Sequence, residues 1–222
     1  MSAIINDART FCLIYPMKRS KSSQRWLHEH FNDFYVKQAQ KEGYRSRAVY
    51  KLKEVDEKEH LIRPGLTVVD LGAAPGGWTQ YVAEKMDGRG SIVALDCLPM
   101  DALPDVTFIQ GDFTEESVLE ALLQVTPKGH VDLILSDMAP NMSGNAAVDI
   151  PSAMGLAELA FELCSLLLKP NGTLFMKVFH GEGFDALVKE IRSNFQRVVI
   201  KKPQASRPRS RETYLLAKGY KL

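Results

Sequence analysis

From residue 67 onward the hydrophobic positions fall into short runs of two alternating kinds. Runs rich in β-branched residues at 67–72 (TVVDLG), 91–96 (SIVALD), 106–112 (VTFIQGD), 131–137 (VDLILSD) and 172–179 (GTLFMKVF) predict strands. Helix-like patterns lie between them at 78–86, 115–125 and 151–168. In the last of these Pro151 suits a first helical turn and KPNG closes the helix. Near-continuous apolar strands alternating with helices predict an α/β fold with a mostly parallel sheet covered on both faces. After a helix at 184–193, runs at 195–202 and 213–219 predict an antiparallel pair at the sheet edge, joined by the basic segment KPQASRPRSRE. A basic helix at 46–59 precedes the sheet. There is no internal repeat and no low-complexity tract.

The strands end on charge. Asp70, Asp96, Asp112, Asp137 and Lys177 sit at or near the carboxyl ends of five successive apolar runs. A charge there costs free energy unless it is paired or used. A single such Asp is commonly a turn former or a cap. Five at one edge predict a ligand site, because open α/β sheets bind ligands outside the carboxyl ends of their strands.

Within that edge, VVDLGAAPGGWTQYV (68–82) reads as strand, glycine-rich turn and helix. It matches neither the dinucleotide G-x-G-x-x-G nor a lysine-bearing phosphate loop. Pro75 removes one of the backbone donors that a phosphate cradle needs. Gly72, Gly76 and Gly77 still permit close backbone approach. Asp70, just before the turn, disfavours a phosphate and attracts an ammonium group. Asp96 is placed to accept hydrogen bonds from ribose hydroxyls, and Asp112 from the amine of an adenine. Trp78 has two readings, a lining of this pocket or a packing residue at the helix start. A ligand with a cationic amino-acid end, a ribose and an adenine but no phosphate is S-adenosylmethionine, the expected methyl donor.

Composition narrows the setting. At 222 residues and 45% hydrophobic content the chain can bury one sizeable core. Its apolar stretches run to about 6 to 8 residues, short of a membrane span. Cys12, Cys97 and Cys164 are too few and scattered for a disulfide framework or a metal site, and His28 and His30 lack nearby ligands, so no metal is expected. A reduced, cytoplasmic protein without a membrane partner is the plain reading. Met17 reads as the natural start, with 1–16 a non-native or disordered extension and 17–222 a single domain. In that domain 17–63 form a basic RNA-binding segment and helix, and 64–222 the catalytic sheet.

The net charge of +1 conceals an asymmetry. Segments 18–25, 37–53 and 197–211 hold sixteen of the 28 Lys and Arg residues and only one of the 27 acids, Glu42. They are either solvated surface or one composite face for a polyanion such as RNA. Interleaved serines, Trp26, Tyr44 and Tyr50 suit phosphate and base contacts; the aromatics equally suit a core.

The stretches DLGAAPGGWTQY, DMAPNMSG, MKVFHGEGF and SRPRSRETYLLA together resemble the FtsJ/RrmJ family of methyltransferases, from about Ser22 to the C-terminus. The resemblance implies a class I S-adenosylmethionine-dependent methyltransferase (Rossmann-like) fold with a seven-stranded sheet. It implies methyl transfer to the 2′-oxygen of a uridine in the A-loop of 23S rRNA, within the 50S subunit or its precursor, by a monomer. It also implies a Lys-Asp-Lys-Glu set, which falls on Lys51, Asp137, Lys177 and Glu212; the donor site expected from the loop and the strand ends comprises Gly76, Trp78, Asp96, Asp112 and Asp137.

A ribose hydroxyl is a poor nucleophile, so in-line positioning should carry much of the rate, roughly 7 to 11 kcal/mol. Lys177 is the candidate general base. A lysine in water titrates near about 10.4 and must fall to about 7 or 8 to accept a proton efficiently. Lys51 and a sulfonium push it down, whereas Asp137 and Glu212 push it up, so a positioning role for Lys177 stays open. Asp137 is expected to orient Lys177 and to lie against the methionine end of the donor. Glu212 is read as a partner of Lys51 or of the ribose, or as a surface charge, and Lys51 also reads as a phosphate contact. His180 is the rival base, and Asn141 is placed in the loop over the donor. A ribosome-assembly factor that binds RNA with little catalysis is the alternative function.

Overall fold

The computed structural model describes residues 33–112, 114–126, 128–207 and 210–221. The suspected extension at 1–16, the basic segment 18–25, Trp26, the His28/His30 pair and Arg209 lie outside the described residues.

Seven strands, β1 (Leu66–Leu71), β2 (Gly90–Asp96), β3 (Val106–Gln110), β4 (Val131–Ser136), β5 (Leu168–Phe179), β6 (Phe195–Lys201) and β7 (Glu212–Tyr220), form one sheet in the order β3-β2-β1-β4-β5-β7-β6. All neighbouring pairs up to β5 are parallel. β7 is antiparallel to both β5 and β6. The chain moves outward through β2 and β3, then crosses back to lay β4 on the other side of β1. The carboxyl ends of β1 and β4 therefore flank the point where strand order reverses, the place where such sheets open a crevice.

Among the described residues six helices accompany the sheet: α1 (Phe34–Glu42), α2 (Val49–Glu59), α3 (Gly77–Met86), α4 (Glu116–Val125), α5 (Ala146–Leu167) and α6 (Phe184–Asn194). The alternating faces of the strands build two cores. On one side Val69, Leu71, Ile134 and Met176 pack with Ala157, Cys164 and Ile191 of α5 and α6. On the other, Val68, Leu135, Phe175 and Leu216 pack with Leu52 and Val55 of α2 and Trp78 and Val82 of α3.

Three boundaries depart from the sequence reading. The basic helix predicted at 46–59 starts at Val49, and a separate α1 precedes it. Asp33 caps α1 by accepting from the Tyr35 amide, and Gly43 ends it in the left-handed conformation at φ 76°. The helix predicted from Pro151 begins five residues earlier. Asn145 accepts from the Ala147 amide, and Asp149 accepts from Ser143 and Gly144. These bonds hold a helical turn ahead of Pro151, which then lacks the N–H that would bond to Ala147. The third strand stops at Gln110, which leaves Asp112 in the turn beyond it.

By length and composition α5 is long and apolar enough to cross a membrane. Ala153, Met154, Ala157, Ala160, Leu163, Cys164 and Leu167 on one of its faces are instead buried, most of them in the core against the sheet.

Candidate active site

Four charged side chains from four distant segments converge on the switch point. Asp137 directly follows β4, Lys177 lies near the end of β5, Glu212 opens β7, and Lys51 comes from the first turn of α2. Strand register explains the convergence. Lys177 pairs with Tyr214 and Phe179 with Glu212 across the β5–β7 ladder. Glu212 and Tyr214, two residues apart, share a face with Lys177. Lys177 Nζ lies 2.7 Å from Asp137 Oδ1 and donates to the Asp137 carbonyl at 2.7 Å. Lys51 Nζ stands 3.1 Å from Glu212 Oε1 and 4.0 Å from Asp137 Oδ1. Both lysines are only 9% exposed, so each charge depends on its partner in the set.

The electrostatics follow. Burial pushes the Asp137 carboxyl up, but Lys177 and Lys51 outweigh it and hold the group below the ordinary carboxylate range. Glu212 is likewise raised by burial and brought lower overall by Lys51 and Lys177. Tyr214 was not singled out by the sequence reading, yet its hydroxyl donates to Asp137 Oδ1 at 2.7 Å. Burial, reinforced by the Asp137 and Glu212 charges, keeps it a protonated donor far above its usual range. Its sequence signal was the two-residue step from Glu212. His180, the rival base, is exposed; its ring packs against Phe184 at 4.3 Å.

Two cavities meet at this set. A cleft of 400 Å³ is lined by Gly72, Ala74, Asp96, Asp112, Asp137 and Asn141, among others. A groove of 920 Å³ is lined by Arg47, Lys51, Arg207, Ser210 and Glu212 among others. Asp137 stands on the cleft side and the Lys51–Glu212 pair on the groove side, with 4.0 Å between Asp137 and Lys51.

In the cleft, Asp96 already accepts from the amides of Ala74 and Leu98, each at 2.8 Å. It therefore holds the glycine loop as well as lining the cleft. Asp112 uses Oδ1 for Thr114. Asp70, read from the sequence as an acid before the turn that attracts an ammonium group, is buried at 1% exposure. Its Oδ2 accepts from the Thr79 hydroxyl at 2.6 Å, and its Oδ1 has no partner among the described residues. Burial, reinforced by the Asp137 and Asp96 charges against the Thr79 hydrogen bond, pushes its carboxyl up to about 7. The Trp78 side chain does not line the cleft. It is 3% exposed, stacks on Phe175 at 5.4 Å and donates from Nε1 to the Ala48 carbonyl at 2.8 Å. Gly76 caps α3 at φ 104° and, having no side chain, gives the first amides of that helix no side-chain cap. Among the described residues, no group of three or more His, Cys, Asp or Glu side chains is placed to hold a metal ion.

The basic segments divide. Arg47, Lys51 and Arg207 reach the groove. Arg197 and Lys201 turn away from it and converge with Lys218 on Glu59, at 3.3, 2.7 and 3.0 Å. The Lys201 hydrogen bond leads in holding the Glu59 carboxyl down at about 2. Lys202 donates to the carbonyls of Ser210 and Glu212 and so braces the start of β7. The single composite face read from charge is thus narrower: part of the third segment anchors α2.

Sheet order, a crevice at the switch point and acids at the strand ends define a class I methyltransferase fold. Residues 44–220 match the FtsJ-like methyltransferase family. The chain is 67% identical over 206 residues to the ribosomal RNA large subunit methyltransferase E of Legionella pneumophila strain Corby, covering 93% of this chain and 100% of the relative. It is 66% identical over the same span to that of strain Lens. A crystal structure of a putative ribosomal RNA methyltransferase from Plasmodium falciparum superposes with a TM-score of 0.72 at 30% identity, covering 80% of this chain and 98% of that one. The chain belongs to the FtsJ-like methyltransferase family.

Proposed function

We propose that this protein transfers a methyl group from S-adenosylmethionine to the ribose 2′-oxygen of a uridine in the A-loop of 23S rRNA. In this reading it acts as a monomer on the large subunit or its precursor, in the cytoplasm. The observation that carries the proposal is the partition between the two cavities. A donor-sized cleft lined by Asp137 and a larger groove lined by Arg47, Lys51, Arg207 and Glu212 lie on either side of one ion-pair set, in which Lys177 bonds to Asp137 and Lys51 bridges towards it. The relatives named as rRNA methyltransferases support the substrate class.

The cleft fits the donor. Asp70 offers a buried carboxylate oxygen without a partner among the described residues, two residues before the Gly72 that lines the cleft. An ammonium group would satisfy it. The uncapped amides at the start of α3, from Gly77 and Trp78, suit a carboxylate. Trp78 would contribute there through its backbone, since its indole is committed to the core. Asp96 and Asp112 retain acceptor capacity for hydroxyl and amine groups. S-adenosylmethionine, when bound, supplies the methyl group and takes the bonding pair on sulfur.

The chain's residues handle the nucleophile. A neutral lysine has two N–H groups and one lone pair. Asp137 offers Lys177 two acceptors, its Oδ1 and its carbonyl, which leaves the lone pair for the proton of a ribose hydroxyl. Tyr214 and Lys51 keep Asp137 ionised and in place, so the proton arriving at Nζ is stabilised as an ammonium beside a carboxylate. Lys51 and Glu212 face the groove and position the ribose. Methyl transfer from labelled donor to ribosomal particles lacking the modification tests this directly. Label at one ribose oxygen of 23S rRNA supports it; label on a base, or none, refutes it.

A further inference from the structure

Arg45 belongs to the second basic segment, and charge alone would count it as a phosphate contact. Its guanidinium points to a different task. Nη1 donates to the Asp101 carbonyl at 2.6 Å and reaches that of Pro75 at 3.5 Å, while Nη2 donates to the Ala102 carbonyl at 2.9 Å. Pro75 is in the glycine loop; Asp101 and Ala102 are in the β2–β3 connection. One side chain thus spans the two loops whose Ala74, Cys97 and Leu98 line the donor cleft. Asp96 ties the same loops from within, through Ala74 and Leu98.

The surroundings accommodate this clasp. A Cβ on Gly76 would lie 2.9 Å from both Arg45 Nη1 and Met100 Sδ, so the missing side chain makes room for the arginine. The backbone of Arg45 is fixed as well. Its amide donates to Gln80 Oε1 at 3.1 Å, and Gln80 Nε2 donates to the Gly43 carbonyl at 3.0 Å. Arg47, two residues on, serves the other cavity: it donates to the Ala205 carbonyl and lines the groove. The planar fork reaches the separated carbonyls through two different nitrogens, Nη1 and Nη2, a geometry that the single nitrogen of a lysine does not reproduce.

We propose that Arg45 is a positioning residue for the methyl donor. It clamps the β2–β3 connection onto the glycine loop, so that the wall formed by Ala74, Cys97 and Leu98 is preset for the ligand. It supports donor affinity and not RNA affinity. The inference rests on the reading of the cleft as the S-adenosylmethionine site.

The test compares the wild type with Arg45→Lys and Arg45→Ala. Calorimetry gives the affinity for S-adenosylmethionine and S-adenosylhomocysteine, filter binding gives the affinity for a 23S rRNA fragment over a salt series, and a thermal melt reports folding. Both variants should bind donor about tenfold more weakly, the loss of one charge-assisted hydrogen bond or more. RNA affinity and its salt slope should stay at the wild-type values, with the donor KM raised and kcat kept. Arg45→Lys discriminates, because a phosphate contact tolerates lysine and a clasp does not. Donor affinity unchanged in folded variants overturns the proposal, whether RNA affinity falls or only the melting temperature does. A wild type that binds no donor overturns the reading of the cleft, and the inference with it.

Discussion

Replacing Asp70 by Asn should make the donor-free protein more stable than the wild type at alkaline pH while weakening its hold on the donor. The Asp70 carboxyl is buried beside Thr79 and raised from 3.8 to about 7. Raised above its unfolded value, it stabilises the fold fully below about pH 4, and that contribution is lost as pH climbs through about 7. At 1.36 kcal/mol for each factor of ten, the loss is roughly 4 kcal/mol by about pH 8. Asn cannot ionise, so urea unfolding of the two proteins should diverge in its favour by about 3 kcal/mol between about pH 5 and 8, the rest of the loss falling below about pH 5. The cationic end of the donor needs the ionised form. Wild-type affinity should therefore tighten about fifteenfold from about pH 5.5 to 7, with proton release, while Asp70→Asn binds weakly with a flat profile. Identical pH profiles of stability for the two proteins would refute the reasoning.

Lys177→Met should lower kcat by about a hundredfold or more with donor affinity retained, measured by single-turnover transfer; near-normal turnover at saturating RNA would remove the base role. Glu59→Gln strips the common partner from Arg197, Lys201 and Lys218. Because Glu59 is held down at about 2, its contribution is present above about pH 4.5 and lost as pH falls through about 2. Denaturant melts should give a deficit of about 1 to 2 kcal/mol at neutral pH, solvent screening the exposed cations, that fades towards about pH 2. Trp78→Ala should cost about 3 to 5 kcal/mol of stability through the emptied stack on Phe175 and the lost bond to Ala48; an undiminished melting temperature would show that the indole is not a core group. RNA binding should weaken with salt, and Arg207→Ala should reduce the slope by about one phosphate's worth, whereas Arg197→Ala should leave it unchanged.

The parallel strands were legible because their apolar runs are bounded by turn residues, and Asp96, Asp137 and Lys177 could be placed at one edge from those runs alone. The roles of Lys51 and Glu212 were not legible from pattern. They come from α2 and β7, and only the β5–β7 register and the packing of α2 bring them to Asp137. Tyr214 was hidden for the same reason. Pro151 misled the placement of α5, since the capping bonds of Asn145 and Asp149 depend on side-chain geometry. Charge counting overstated the RNA face, because it cannot see that Glu59 gathers three cations or that Arg45 bonds to backbone carbonyls. Asp70 could be placed in its strand and before the turn, but its burial against the Thr79 hydroxyl depends on the packing of α3 on β1.

The most direct measurement of the central claim is mass-spectrometric mapping of methyl transfer to large subunits from cells lacking this protein, with wild type and Lys177→Ala side by side. The account predicts one new 2′-O-methyl uridine in the A-loop of 23S rRNA with the wild type, and its loss in a variant that still binds S-adenosylmethionine. A methyl group on a base, or an undiminished 2′-O-methyl uridine with Lys177→Ala, would contradict it.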